Sequence, residues 1–534
     1  MPFRSLAQRP IKRACDGTIP LSTLYTIAAA YLRSGMDPLV VKALNFFRPR
    51  AKGGCPVAMY WIGWACEHGY LCPRSEVCRE PLYWYQRGFA KGHHGCAHRL
   101  AYMYMEGKHV DRCQQRGLCF LRFAAAKIPE AQAQLGVCYR EGNGVPQDHS
   151  RAFELFKQAA EANNPLGQYY LARCYELGEG TACSPAKAVE LYQNMLERDK
   201  RSQVMNCARH RLALLLYFGS DQGASPEDHV EKDLVQAADH FRDGVANGYK
   251  RSFYYLGLLY LHGDGGLEVN KAEAERLWTE AAKDNIVLAI FSLAKAYEKG
   301  DFGMCHLEKA FQWYRQAANL GHADSMARVG MYHLHGTVVP KNAYFAREWF
   351  QRSADGGSTM GRIHLAIAFM HGEGGPKCCH RGVELLRPAV ASGSAMAKYY
   401  MSRCYAKGCG VSKCLQQARA LLEEAVAGGY HRADICLAKE LMHACGGASE
   451  EDLVRSRQLL ERAVSKGSPE AKTLLAECYM KGWGGPVKYC EAKRLYAQAA
   501  EKGNMEAMMA YREILIGEGD WRKSHTWLHK MAMC

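Results

Sequence analysis

The chain has 534 residues, of which 48% are hydrophobic and 23% are charged. This length exceeds what one hydrophobic core supports, so we expect several domains or an extended array, and the composition excludes wholesale disorder. No run of 18 apolar residues occurs, so we expect no membrane span. The net charge of +15 is uneven, because residues 1–130 hold 19 Lys and Arg against 8 Asp and Glu. Such a surplus predicts an acidic partner or a well-solvated face.

Residues 1–17 are predicted to form a basic tail before the structural part of the chain, residues 18–534. The stretch MPFRSLAQRPIKRAC has four basic residues and no acid, which is typical of a short mitochondrial presequence. The following IPLSTLYTIAAA is similar to a secretory signal. Because Leu24–Gly35 also matches the repeat described next, we interpret it as the first structural unit. We therefore expect a cytoplasmic protein, with mitochondrial and secreted locations left open.

One short sequence returns along the whole chain. LGVCYREGNGVPQD, from Leu135 to Asp148, comes back as LARCYELGEG at Leu171 and MSRCYAKGCGV at Met401. Each copy closes on a glycine, which we call the anchor, and the steps between anchors are mostly 34 to 38 residues. This period predicts about fourteen repeat units. The anchors are Gly35, Gly69, Gly107, Gly142, Gly178, Gly219, Gly263, Gly300, Gly336, Gly372, Gly408, Gly482 and Gly517, with a degraded one at Cys445-Gly446.

Positions counted back from the anchor predict a helix. The residues eleven and six positions before the anchor are small, as in Ala131 and Gly136. The residue seven positions before the anchor is mostly leucine. These offsets lie on one helical face, and the anchor is where the helix stops. A second, alanine-rich helical pattern follows, as in SRAFELFKQAAEANN. We therefore predict an all-α solenoid of stacked helical hairpins, with the position six before the anchor buried between helices.

A unit with small-x-x-x-Leu-Gly/Ala-x-x-Tyr-x-x-Gly in its first helix and an alanine-rich second helix resembles the Sel1-like repeat, a branch of the tetratricopeptide superfamily. The resemblance covers nearly residues 20–534 and departs at both ends, where Leu24–Gly35 lacks the full pattern and Met505–Cys534 ends after one hairpin. It implies an adaptor that assembles protein complexes, with no chemistry of its own in most members. It also implies that the first helices line a concave face.

The 23 cysteines are interpreted as free thiols. Four of them share the position four before the anchor, where a small apolar group suits a buried site. Loop cysteines show no spacing that recurs in every unit, so we expect no disulfides and a reducing compartment. Cys66, Cys72, Cys78 and Cys96 lie among histidines, but their spacing misses the usual zinc pattern. We therefore expect no metal and no cofactor.

The positions eight, five and one before the anchor form one helical stripe, which we call the first-helix stripe. It is rich in aromatic and arginine side chains, the types enriched at binding hot spots. We predict that an acidic or aromatic-containing segment of a protein partner binds there, with Arg99 holding a carboxylate and Trp61 and Trp64 burying apolar area. Tyrosines packing on the neighbouring hairpin are the alternative. The candidate residues are Trp61, Trp64, His68, Arg99, Tyr102, Tyr170, Arg173, Arg211, Tyr255, Arg328, Tyr400 and Arg403.

Three functions remain open at this point. A non-enzymatic scaffold for protein partners is favoured. RNA binding through the basic N-terminal third is the second, although a base-reading pair repeated in each unit is missing. The third is a hydrolase, because a few secreted Sel1-like proteins are known to act on β-lactams, but no nucleophile–base pair is found in the sequence.

Overall fold

The computed structural model describes residues 26, 28–30, 37–70, 81–198, 203–220, 228–442 and 449–533. The predicted tail at 1–17, most of the Leu24–Gly35 unit and the degraded anchor at Cys445-Gly446 lie outside these residues. The chain divides into two compact units, Met1–Leu277 and Trp278–Cys534. Each unit is a succession of helices.

The helices of the first unit are α1 Asp37–Lys52, α2 Pro56–Glu67, α3 Pro81–Ala90, α4 His94–Glu106, α5 Gln114–Ala125, α6 Pro129–Glu141, α7 His149–Glu161, α8 Pro165–Leu177, α9 Pro185–Arg198, α10 Gln203–Phe218, α11 Leu234–Ala246 and α12 Lys250–His262. Helix α13, Lys271–Lys283, contains the boundary between the units.

The helices of the second unit are α14 Val287–Lys299, α15 Leu307–Asn319, α16 Ala323–His335, α17 Ala343–Asp355, α18 Thr359–His371, α19 Cys379–Ala391, α20 Ala395–Lys407, α21 Leu415–Ala427, α22 His431–Met442, α23 Glu450–Ser465, α24 Pro469–Lys481, α25 Tyr489–Glu501, α26 Met505–Gly517 and α27 Trp521–Met533. In the described ranges, β-structure is limited to one antiparallel bridge between Ser220 and Val230. The all-α prediction is confirmed.

From α2 onward the even-numbered helices are the first helices of the repeats and the odd-numbered ones are the second helices. Helix α6 packs against α7, which follows it, and against α5, which precedes it. It also contacts the next first helix, α8. Each first helix therefore lies between two second helices, which is the arrangement of a solenoid.

The anchor glycines end the first helices as predicted. Gly142 has a φ of 71°, a left-handed conformation that costs glycine little, and its N–H donates to the carbonyl of Cys138. The same left-handed cap ends the first helices at Gly107, Gly178, Gly263, Gly300, Gly336, Gly372, Gly408 and Gly482. Gly69 and Gly517 depart from this pattern. His68 caps α2 and Gly69 follows it with a φ of 76°, whereas Gly517 is still helical and Gly519 takes the positive φ of 78°.

The two small positions pack against different neighbours. Six before the anchor, Gly136 faces its own second helix, and a Cβ there would lie 2.6 Å from Cε1 of Phe156. Eleven before the anchor, Gly167 faces the preceding second helix, where a Cβ would lie 2.5 Å from Cβ of Ala159. Both glycines are buried, so the predicted burial is confirmed. Small residues are required because helices approach closely on both sides.

Burial of the cysteines four before the anchor is also confirmed. Cys138, Cys174, Cys404 and Cys478 are each at most 4% exposed. Burial is the main cause that raises the pKa of the Cys174 thiol to about 12 and that of Cys478 to about 11. These thiols behave as small apolar groups and stay protonated at neutral pH.

The expectation of free thiols is wrong for one pair, because the structure joins Cys379 to Cys409 in a disulfide. The reason is a backbone contact that recurs between repeats. The second residue after an anchor packs on the first residue of the preceding second helix: a Cβ at Gly180 would meet the carbonyl oxygen of His149, and one at Gly410 would lie 2.5 Å from that of Cys379. Cys409 adjoins Gly410 and thus meets Cys379.

Candidate partner-binding surface

The residues of the first-helix stripe do not share one environment. Trp61 is 8% exposed and Tyr400 is 7% exposed, so both side chains are core groups that offer a partner little area. Trp61 packs among the buried side chains of the N-terminal core, with its ring centroid 6.2 Å from that of Phe47. In contrast, His68 is exposed, and Trp64, Arg99 and Tyr102 are half-buried.

Trp64 belongs to a group of three aromatic rings at the end of α2. Its indole stacks on His68 with ring centroids 3.9 Å apart, and on Tyr70 with centroids 5.9 Å apart. The His68 ring is held over the helix end by a contact of 2.8 Å between its Nδ1 and the carbonyl oxygen of Trp64. Stacked, partly exposed rings present a rigid amphipathic surface to which a partner can bind.

Arg99 already has a carboxylate of the chain itself. Its Nη2 lies 2.6 Å from Oε1 of Glu67, and the Tyr85 hydroxyl donates to Oε2 of Glu67 over 2.8 Å. Burial, reinforced by the Glu67 charge, raises the pKa of Tyr85 far above its ordinary value, so this hydroxyl keeps its proton. The predicted role of Arg99 as the holder of a partner carboxylate therefore competes with an ion pair inside the repeat array.

Among the described residues, the same arrangement occurs twice more. Glu176 accepts hydrogen bonds from Tyr192 (3.1 Å) and from Arg211 (Nε, 3.2 Å). Arg173 lies beside it at 3.9 Å, measured from its Nε to Oε2 of Glu176. In the second unit, Glu298 accepts from Tyr314 over 2.7 Å, and Nη1 of Arg328 lies 3.7 Å from Oε1 of Glu298. In each case Glu ends one first helix, Tyr lies on the following second helix and Arg lies on the next first helix.

We call these three groups the Glu–Tyr–Arg clusters. They place Arg99, Arg211 and Arg328 at contacts between consecutive repeats, where their charge is balanced. Sequence reasoning missed the acids, although all three share the position two before the anchor. That common position, together with tyrosine 16 to 18 residues later, was a signal available in the sequence.

Two tyrosines of the first-helix stripe pack on second helices, which is the alternative to a role in partner binding. Tyr170 stacks on Phe156 with centroids 5.0 Å apart, and the Arg140 guanidinium lies 4.8 Å from its centroid. Tyr255 stacks on Phe241 with centroids 5.2 Å apart and planes 9° apart. Each ring has one face against a second helix and remains half-buried.

Arg403 is a stripe residue that borders open space. It lines a cavity of about 860 Å³ formed by α20, α22 and the turns before α24 and α26, and also a smaller one of about 190 Å³. The larger cavity, which we call the basic cavity, is lined by Tyr399, Arg403, His431, Arg432, Ile435, Cys436, Lys439, Lys466, Gly467, Ser468, Pro469, Glu470, Lys502, Gly503 and Asn504. Sequence reasoning, which located the charge surplus in residues 1–130, did not anticipate it.

A histidine on the first helices is held neutral by burial. His364 stacks on Phe350 with centroids 5.2 Å apart, and burial, reinforced by Arg328, lowers its pKa to about 4.

Within the residues that the structure describes, no group of three or more His, Cys, Asp or Glu is placed to hold a metal ion. No helix in those ranges combines the length and apolar character of a membrane span.

A family model described as Sel1 repeat matches ten segments of the chain. They are residues 56–93, 95–127, 129–164, 165–199, 254–285, 287–322, 323–358, 395–430, 437–468 and 469–504. Hairpins α10–α11, α18–α19 and α26–α27 have the same structure but lie wholly or largely outside the matched segments.

Similar proteins support the fold. The crystal structure of c5321, a protective antigen of uropathogenic Escherichia coli with an SLR fold, has a TM-score of 0.57 and 22% identity, over 88% of this chain and 94% of that one. Chitin synthase regulatory factor 2 of Schizosaccharomyces pombe is 28% identical over 151 residues, 26% of this chain and 28% of the relative. An uncharacterized protein of Neisseria meningitidis is 26% identical over 166 residues, 26% of this chain and 36% of the relative. The chain thus spans about a third of these two curated relatives.

Proposed function

Because the chain belongs to the Sel1 repeat family, we propose that it is a non-enzymatic adaptor that binds protein partners along the first-helix stripe. The observation that carries the proposal is the group of partly exposed rings at the end of α2. The half-buried Tyr102 lies on the following first helix, which the Arg99–Glu67 ion pair links to the end of α2. Aromatic side chains of this kind bury much area at a low cost in conformational entropy.

Some candidate residues contact the partner directly, and others support the contact surface. Trp64, His68 and Tyr102 form the contact surface, and Lys108 adds a positive charge, since its Nζ lies 2.7 Å from the Tyr102 hydroxyl. Trp61 supports this surface from the core. Arg99 orients it through its ion pair with Glu67. A cytoplasmic location remains part of the proposal, but the Cys379–Cys409 disulfide removes the expected lack of disulfides as an argument for it.

The experiment is affinity purification of the tagged chain from its native cell, with and without nuclease. We expect a protein partner that survives nuclease and is lost in the double variant Trp64→Ala, Tyr102→Ala. Removing a hot spot costs about 2 kcal/mol, roughly thirtyfold in affinity. Trp521→Ala is the matched control, because Trp521 is 63% exposed on the last helix. Circular dichroism verifies that helicity is unchanged.

Two results would contradict the proposal. Capture that persists in the double variant with helicity intact would exclude this surface as the interface. Loss of all partners on nuclease treatment, with a steep dependence of binding on salt, would instead favour the RNA-binding function.

A further inference from the structure

We propose that the basic cavity of the second unit binds an acidic segment of a partner protein, through carboxylates that face Arg403 and Arg432. The inference rests on the proposed adaptor function, because it takes the ligand to be a protein segment. It concerns a different surface, however, formed by α20, α22 and the turns before α24 and α26.

The lining of the basic cavity has a strong excess of positive charge. Arg403, Arg432, Lys439, Lys466 and Lys502 face it, and Glu470 is the acid among the lining residues. That acid is already paired, since Nζ of Lys439 lies 2.6 Å from Oε1 of Glu470. A concave surface lined by one sign of charge concentrates the field and attracts the opposite charge.

The two arginines are suited to carboxylates. Arg403 is half-buried on α20, and Arg432 is exposed at the start of α22, where its Nη1 lies 3.4 Å from the Tyr400 hydroxyl. A guanidinium presents a planar fork of donors that can bind both oxygens of a carboxylate. Arg403 also lines the neighbouring cavity, together with Lys377 and Lys407, so the basic surface continues beyond the first cavity. An extended acidic segment fits this continuity better than a single small anion does.

The floor of the cavity favours a peptide over a nucleic acid. Tyr399 and Ile435 are buried at 8% and 4% exposure, so they supply an apolar floor for aliphatic stems rather than an exposed ring on which a base could stack. Ser468 and Asn504 are engaged in their own helices, because each caps a helix by accepting a hydrogen bond from Ala471 and Ala507, respectively. Lys439 is paired with Glu470, and Lys502 donates to the carbonyl of Gly467 over 3.5 Å. Arg403, Arg432 and Lys466 are therefore the lining cations best placed to bind the ligand.

The test measures binding of a fluorescein-labelled polyglutamate peptide to the purified full chain by fluorescence anisotropy. We expect Arg403→Gln with Arg432→Gln to weaken binding roughly tenfold or more, the effect of losing charge-assisted hydrogen bonds. Glu470→Gln should strengthen binding about two- to fivefold, because it frees Lys439 from a surface ion pair. A gain of affinity with helicity unchanged by circular dichroism would show that the effect comes from the folded cavity.

Matched controls separate a site from overall charge. Arg116→Gln with Lys157→Gln removes two exposed cations from second helices, and Glu154→Gln removes an exposed acid from α7. We expect these variants to bind the peptide like the unmodified chain. Equal losses in the Arg116/Lys157 and Arg403/Arg432 variants, or no binding at all, would overturn the proposal.

Competition identifies the class of ligand. Inorganic phosphate or a single-stranded oligonucleotide that displaces the peptide at lower concentration than unlabelled polyglutamate would also overturn the proposal. Because only purified protein and peptide are used, failure of peptide binding leaves the capture experiment on Trp64 and Tyr102 unaffected. Likewise, failure of that experiment does not change the peptide result.

Discussion

Replacing Gly136 by alanine tests how the two helices of a repeat are held together. A Cβ at this position would lie 2.6 Å from Cε1 and 2.9 Å from Cδ1 of Phe156. The Phe156 side chain is fully buried and its ring also stacks on Tyr170, so the ring has little room to move. Alanine is worth about 0.5–1 kcal/mol more than glycine inside a helix, whereas overpacking costs about 1–3 kcal/mol. The two effects oppose each other, and because the ring has little room to move we expect overpacking to dominate. The free energy of unfolding should therefore fall by about 1.5 kcal/mol.

The loss should be local, because a repeat contacts only its neighbours. Hydrogen exchange followed by mass spectrometry should show faster exchange in the hairpin of α6 and α7, by roughly tenfold for about 1.5 kcal/mol. Gly517→Ala is the control: it is also helical, no atom lies within 4 Å of a Cβ there, and we expect no loss of stability. Phe156→Leu combined with Gly136→Ala should recover part of the loss, since leucine relieves the clash.

The refuting result is unchanged exchange. If Gly136→Ala exchanges like the unmodified chain and like Gly517→Ala, then the ring of Phe156 does not limit the approach of α6 and α7. The small residues six before the anchor would then require a different physical cause.

Three further predictions follow from the clusters, the histidines and the cysteines. Glu176→Gln should lower the free energy of unfolding by about 2 kcal/mol, measured by urea denaturation, because the Arg211 charge loses a buried partner. His364 has a pKa of about 4 in the folded chain against 6.5 in the unfolded chain, so it lowers the free energy of unfolding progressively as pH falls from 6.5 to 4. At pH 5 this loss of stability is about 2 kcal/mol, and His364→Phe should remove it. Alkylation without reduction, followed by mass spectrometry, should leave Cys379 and Cys409 unlabelled, and labelling of both would contradict the disulfide.

The repeat architecture could be predicted because its determinants are local. Gly142 ends a helix through its own backbone conformation, and the small positions before it share one helical face. A period of this kind is readable without knowing any long-range contact. The exception at Gly517 occurs at the end of the array, where a second glycine two residues later takes over the left-handed conformation.

The surface could be predicted only in part, because exposure depends on distant neighbours. Trp61 and Trp64 both lie on the stripe, yet α1 covers the first and leaves the second partly exposed. Arg99 meets Glu67 from 32 residues away, a pairing that residue type alone does not reveal. Likewise, the contact that brings Cys379 to Cys409 recurs along the array, and its outcome depends on which residues two distant positions carry.

The Glu–Tyr–Arg clusters give the array an uneven resistance to mechanical force. Each cluster joins side chains from three consecutive helices, so separating one hairpin from the next breaks an ion pair and a partly buried hydrogen bond at the same step. Apolar contacts, in contrast, are lost gradually as two helices separate. Under tension, we expect the hairpins joined at Glu67, Glu176 and Glu298 to separate at a higher force than hairpins held by apolar contacts alone.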